Sequence, residues 1–497
     1  MSERNEYSPV VVSERAGVSE RPASANVLPG EPALAPKPER LASLDVFRGI
    51  TMAGMILVNN PGGSPKFGPL EHAHWNGWTP TDLVFPSFLF IVGVAMTFSF
   101  DKRIAAGFSR LRLFEQVCRR TLILFFLGLV LAIGGFPHWR VIGPYLLGIV
   151  GLVLLFADEP PFGWPAAGVA RFRKALAYAV FLGAVVYFIA DYRHYAQSNL
   201  RIPGVLQRIA LCYFFASLIV LHSGVRGRII WTAVFLLGYW AVLRYVHAPA
   251  DYNPALAAAR PEGLLNDWID SRVFRPGHLY TERPDPEGLL STIPAIATVL
   301  LGVLAGNWLK GARQRHDKVI GLFLAANAAL LLGLWMNIDF PINKKIWTSS
   351  YVLFAGGIAL HMLAICYWLV DVKGLRRWAA PFMVFGTNAI AVYVASGIFG
   401  RLLVLWKLPT ADGHTIAPGI GLGEILRTWA YQTIHPACTP WASAGGGLIA
   451  VRTWLYKSFF ASWAQPRIAS LLWALAYVCL WLILMTPLYR RRIYIKV

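Results

Sequence analysis

Residues Asn59 to Pro86, NNPGGSPKFGPLEHAHWNGWTPTDLVFP, lie between two apolar runs, 44–60 and 82–100. Each run is about as long as the ~20 apolar residues that an α-helix needs to cross a bilayer. Asn59, Asn60, Asn76, His72, His74, Glu71 and Asp82 are therefore expected at one membrane face and its adjoining helix ends. Polar and titratable groups are costly at that depth, so such a cluster points to a site. A histidine near asparagines is equipment for proton transfer and carbonyl polarisation, as acyl transfer needs.

Outward from this stretch the chain is a succession of similar runs. It is 56% hydrophobic, with a mean hydropathy of +0.51, and 14% of its residues are charged. Soluble domains carry about a quarter of their residues as charges. After Leu44 the spacing predicts about twelve transmembrane helices (eleven if 141–157 is not a span) in an all-α polytopic membrane protein. They are centred near 44–60, 82–100, 118–136, 141–157, 172–190, 202–222, 228–247, 289–309, 316–337, 346–370, 379–405 and 466–487. Residues 1–40, rich in Pro, Ala, Ser and Glu, read as a disordered cytoplasmic tail without a secretory signal. Residues 41–497 read as one transmembrane domain.

The formal net charge of +20 does not indicate nucleic acid, because the basic residues cluster between apolar runs. Alternate loops hold them: Lys102 to Arg120, Arg171 to Lys174, Arg226 and Arg228, Lys310 to Lys318, Lys373 to Arg377, and Arg490 to Arg492. The positive-inside rule then places both termini in the cytoplasm and His72 outside, with large outer loops at 248–288 and 406–465. The expected location is a cell membrane, of the bacterial inner-membrane kind. The five cysteines are scattered without a CxxC pair, so neither a disulfide framework nor a metal site is expected. P-loop, dinucleotide, zinc-helix and nucleophile-elbow motifs are not found.

The candidate residues divide by position. His72 and His74 compete for the role of base, and sequence alone scarcely separates them. One of Asn59 and Asn60 is expected to cap the first helix, and the other to donate to a thioester oxygen. Asp82 is read as a helix-start residue, as a group orienting a histidine, or as an acceptor-binding carboxylate. Asp45 and Arg48, spaced i, i+3, form a local ion pair or contact a phosphorylated cofactor. Arg208, in RIPGVLQRIALCYFF, sits inside an apolar run and needs a partner, such as a ligand phosphate or carbonyl. Asn388 is similarly intramembrane, suited to helix–helix bonding or cofactor binding. Asp285 and Glu287, in HLYTERPDPEGLLSTIP, cap the next helix or hold a cationic, hydroxyl-rich acceptor.

LASLDVFRGITMAGMILVNNPGG, EHAHWNGWTPTDLVFPSFLFIVG, RIPGVLQR, DPEGLLSTI, FPINKKIWTSSYVL and VDVKGL follow one another in order. In these the chain resembles the heparan-α-glucosaminide N-acetyltransferase family of multi-pass membrane acyltransferases. The resemblance implies acetyl-CoA bound from the cytoplasmic side and an acetyl group delivered to an amino-sugar amine on the other. It matches His72, in the context HAxWNG, and Asn59 to the family's active-site residues, and it makes a homodimer plausible. This chain departs from the lysosomal enzyme at Ser396 and Gly397, where the latter has a histidine and a glutamate. Its polar tail also stands in place of a large lumenal domain. The competing reading from the same residues is a transporter of a sugar or cell-envelope precursor, with His72 as a protonation switch. No inverted repeat of the transporter kind is visible.

Overall fold

The computed structural model describes residues 41–132, 201–249, 251–409 and 448–495. The expected spans at 141–157 and 172–190 lie outside these residues, as do residues 410–447 of the outer segment 406–465. The helices that form the bundle are α1 (Ala42–Asn59), α2 (Val84–Ala105), α3 (Arg110–Ala132), α4 (Val205–His222) and α5 (Val225–Tyr245). Two short helices, α6 (Pro254–Ala259) and α7 (Leu264–Phe274), follow within an excursion at one end of the bundle. Then come α8 (Thr292–Lys310), α9 (Arg315–Met336), α10 (Ser349–Cys366, extended by π-helical turns to Val372), α11 (Ala380–Thr387) and α12 (Ala389–Leu405). The chain closes with α13 (Val451–Tyr456) and α14 (Pro466–Arg490), and one antiparallel pair of short strands joins Lys407–Pro409 to Leu448–Ala450.

Seven helical segments among the described residues are long and apolar enough to cross a membrane, and eight if α11 and α12 count as one span. Those two helices meet at Asn388 at an angle of 83°. Ten of the twelve expected spans fall wholly or largely within the described residues, and two of these ten are not among the eight. Helices α1 and α3 coincide with expected spans, yet Asp45, Arg48 and Asn59 in the first and Glu115, Arg119 and Arg120 in the second dilute their apolar content. Helix α9 turns Leu324, Leu331, Leu332 and Trp335 outward, the surface that a lipid-facing helix presents.

Between apolar helices in lipid, close backbone packing replaces the hydrophobic drive, so small residues mark the tightest contacts. Helices α2 and α8 run side by side in the same direction. A Cβ on Gly93 would lie 1.9 Å from the Val299 carbonyl oxygen, and one on Gly302 would lie 2.0 Å from that of Phe90. No side chain fits at either place. The two helices begin at one end of the bundle, and at the other end Lys310 pairs with Asp101. Segments 59–83, 260–291 and 337–348 therefore gather at a common face, as the alternating loops implied. The core around them is Leu, Val, Ile, Phe and Ala from α1, α2, α4, α8 and α10.

Gly302→Ala should accordingly separate α2 from α8 and cost about 1–3 kcal/mol, as overpacking does. Gly238→Ala in α5, where a Cβ meets nothing within 4 Å, should be neutral or slightly stabilising. Thermal unfolding of both variants in detergent checks this. Equal stabilities would mean that α2 and α8 are not packed backbone to backbone.

Candidate active site

A cavity of about 460 Å³ opens at the common face, within the size range of small-molecule sites. Its wall and floor combine Asn59 at the end of α1, His72 and His74 from the following loop, Phe85 of α2, Val205 of α4 and Tyr393 of α12. Arg201, Glu287, Lys344 and Lys345 complete the mouth.

Local sequence explains how the histidine is held. Pro80 starts a single turn ahead of α2, and Asp82 in that turn is 1% exposed. Its Oδ2 accepts the backbone N–H groups of Ala73 and Thr79, both at 3.0 Å, and the Thr79 hydroxyl at 3.1 Å. Its Oδ1 lies 2.6 Å from His72 Nδ1. With Nδ1–H donating to Asp82, the other ring nitrogen is left as the acceptor, the arrangement that orients a histidine base. The Tyr351 hydroxyl donates to the Asp82 carbonyl at 2.5 Å and fixes the same turn from α10. Thus Asp82, weighed above as an acceptor-binding group, has its carboxylate committed to His72 and the loop around it. His74 also faces the cavity.

The two asparagines divide as the helix end requires. Asn60 Nδ2 donates to the Ile56 carbonyl at 2.9 Å and closes the last turn of α1. Asn59 lines the cavity, exposed, alongside His72. The WNG segment is tied to a loop far along the chain. Gly77, at φ +96°, donates its N–H to the Ile342 carbonyl at 2.8 Å, and Asn343 Nδ2 donates to Asn76 at 3.0 Å. That tie brings in Lys344, whose Nζ is 3.0 Å from His72 Nδ1 and 3.2 Å from Asp82 Oδ1. Burial pulls this ammonium below the ordinary lysine range, while Asp82 and Glu287 pull the other way.

Asp285 and Glu287 part company. Asp285 is 1% exposed and is taken up by Arg201, which grips it through Nη2 at 2.6 Å and Nε at 3.2 Å. The backbone N–H groups of Tyr280 and Glu287 occupy it further. It builds the mouth and does not line it, whereas Glu287, also paired with Arg201, does line it. Arg208 is buried behind the cavity without lining it. Its Nη2 donates to the Gly288 carbonyl at 2.9 Å and to Ser291, and its guanidinium lies over the Trp347 ring. Asp45, Arg48 and Asn388 gather instead at the far end of α1, about 20 Å from Asn59 at 1.5 Å per residue. There Arg48 donates to Asp45 at 3.0 Å and to the Gly386 carbonyl at 3.2 Å. Asn388 exchanges hydrogen bonds with the backbone of Ile493 and Ile495. Arg208 is thus not part of the Asp45–Arg48 group. Lys344, Lys345, Arg201, Trp75 and Tyr393 were not singled out from sequence. A lysine pair in a loop on the face where basic residues are scarcer was the available signal.

Residues 40–138 match the family model described as heparan-alpha-glucosaminide N-acetyltransferase, catalytic. The chain is 28% identical to the human heparan-alpha-glucosaminide N-acetyltransferase over 444 residues, 79% of this chain and 58% of that protein. It is also 28% identical to the mouse protein of the same name, over 76% of this chain and 56% of that protein. The chain thus spans a little more than half the length of these relatives.

Behind the mouth, Asp270 Oδ1 accepts the Leu289 N–H at 2.7 Å, while Oδ2 packs against Gly288. Burial raises its carboxyl from 3.8 to about 7, helped by Asp285 and Asp267 and opposed by the Leu289 N–H and Arg208. Between those values the folded protein holds a proton that the unfolded chain has lost, so this group's contribution to stability falls as pH rises through the window. Asp270→Asn should remove that fall. Melting curves from pH 4.5 to 8 should show the wild type losing ground to the variant, and a constant difference across the range would exclude the effect. Of the residues that line the mouth, Asn59, His72, His74, Asp82 and Phe85 fall within the 40–138 segment that matches that family model.

Proposed function

We propose that the protein is a transmembrane N-acetyltransferase that moves an acetyl group from acetyl-CoA to the amine of a glucosamine-type sugar. The carrying observation is the His72–Asp82 pair on the same cavity as Asn59. His72, oriented through Nδ1, takes the proton from the attacking amine. Asn59 donates its amide to the thioester oxygen as negative charge develops there. The carbon–nitrogen bond forms, the carbon–sulfur bond breaks, and CoA leaves as the thiol.

The donor is drawn from the cytoplasmic side, with its charged nucleotide near Arg48 and Asp45. A small void of about 10 Å³ between α1, α2, α4 and α12 is lined by Met52, Met55, Ile209 and Tyr393. Met55 and Tyr393 also line the large cavity. Flexible methionine side chains suit a passage that widens for the arm of the donor. On the acceptor side, Glu287, paired with Arg201, and Glu282, paired with Lys345, bring carboxylates to the mouth beside Trp75 and Tyr280, a setting that fits a polar, hydroxyl- and amine-bearing sugar. The sidedness follows from the basic loops, and the multi-pass chain then lies in a cell membrane with His72 outside.

Purified protein given acetyl-CoA and glucosamine should release CoA thiol and form N-acetylglucosamine. His72→Ala should lower the rate roughly a hundredfold to ten-thousandfold. Asn59→Ala should lower it roughly a hundredfold or more, and the double variant should lose less than the product of the two. Acetyl-CoA affinity should change little in either. Near-normal transfer by His72→Ala would leave the transporter reading as the better account.

A further inference from the structure

His72 Nδ1 faces two groups at once, the Asp82 carboxylate at 2.6 Å and the Lys344 ammonium at 3.0 Å. A carboxylate alone at that distance favours the charged imidazolium, because an opposite charge within a few ångströms stabilises the ion. An imidazolium has no lone pair with which to take a proton. A second cation on the same carboxylate offsets that pull.

We propose that Lys344 is a positioning residue whose ammonium shares Asp82 with His72 and so offsets the pull of the carboxylate on the imidazole. Lys344 stands 3.2 Å from the same Oδ1 that His72 contacts, and its side chain is 17% exposed against 53% for His72. The other charged groups at the mouth are matched among themselves. Arg201 pairs with Asp285 and Glu287, Lys345 pairs with Glu282 at 2.9 Å, and Arg260 lies over the Trp75 ring. Removing Lys344 thus leaves no spare cation beside Asp82 among the described residues. The base role of His72 belongs to the acetyl-transfer reading above; its charge does not depend on it.

The test reads His72 directly. Diethyl pyrocarbonate modifies neutral imidazole, and peptide mass spectrometry follows the modification of His72 against pH without donor or acceptor. In Lys344→Met and Lys344→Gln, one apolar and one polar replacement, the midpoint of His72 reactivity should rise by about one pH unit. Its modification below that midpoint should slow about tenfold. Lys344→Arg should keep the wild-type midpoint. His74, which faces the same cavity, is the internal reference. A general loosening of the mouth would shift both histidines, whereas the loss of one neighbouring charge moves His72 alone. An unchanged His72 midpoint in both neutral variants, or equal shifts at His72 and His74, would overturn the proposal. If CoA release fails while the His72 shift is seen, the acetyl-transfer reading falls and the Lys344 assignment stands.

Discussion

The arrangement of the mouth depends on one buried carboxylate. Asp82 sits in the turn ahead of α2, where the partial positive charge of the helix start favours an anion. Its two oxygens collect the His72 ring, the Ala73 and Thr79 backbone, the Thr79 hydroxyl and the Lys344 ammonium. Few of these groups would hold their places without it. The loop 60–79 has only single-turn helical structure of its own, so its geometry is set by what it bonds to. A buried charge with this many donors is satisfied, and leaving it half-satisfied would be costly.

The same logic separates the two ends of α1. At the mouth, Asn60 closes the helix and frees Asn59. At the other end, Arg48 binds Asp45 and the Gly386 carbonyl where the chain turns sharply into α12. One helix thus connects the Asp45–Arg48 pair with the cavity that Asn59 and His72 line. The void lined by Met52 and Tyr393 lies along that helix between them.

Much of this was legible in the chain because hydrophobic runs and their flanking charges are local signals. The gathering of loops 59–83, 260–291 and 337–348 on one face follows from counting apolar runs, and His72 stood out by its setting between two of them. What was not legible comes from pairings distant in sequence. Asp82 and His72 are ten residues apart, yet Lys344 is 272 residues from His72. It arrives only because Asn76 and Gly77 bond to Asn343 and Ile342. Asp285 looked available from sequence because nothing local predicts that Arg201 will consume it. Arg208 demanded a partner, and the backbone carbonyl of Gly288 and the hydroxyl of Ser291, which answer it in part, carry no charge pattern that a sequence displays.

The glycine contacts between α2 and α8 have a mechanical meaning. Two helices in contact backbone to backbone have no side-chain layer to shear, so they behave as a single rigid post. Both walls of the mouth hang from the top of that post: Asp82 and its histidine from α2, and Gly288 with the Arg201–Glu287 pair from the segment that leads into α8. The span between the His72–Asp82 pair and the Glu287 carboxylate is then fixed by a stator, and any widening of the void lined by Met52 and Tyr393 must come from α1, α4 and α12 moving around it. Rigidity belongs to the two walls of the mouth, and compliance to the helices around the void.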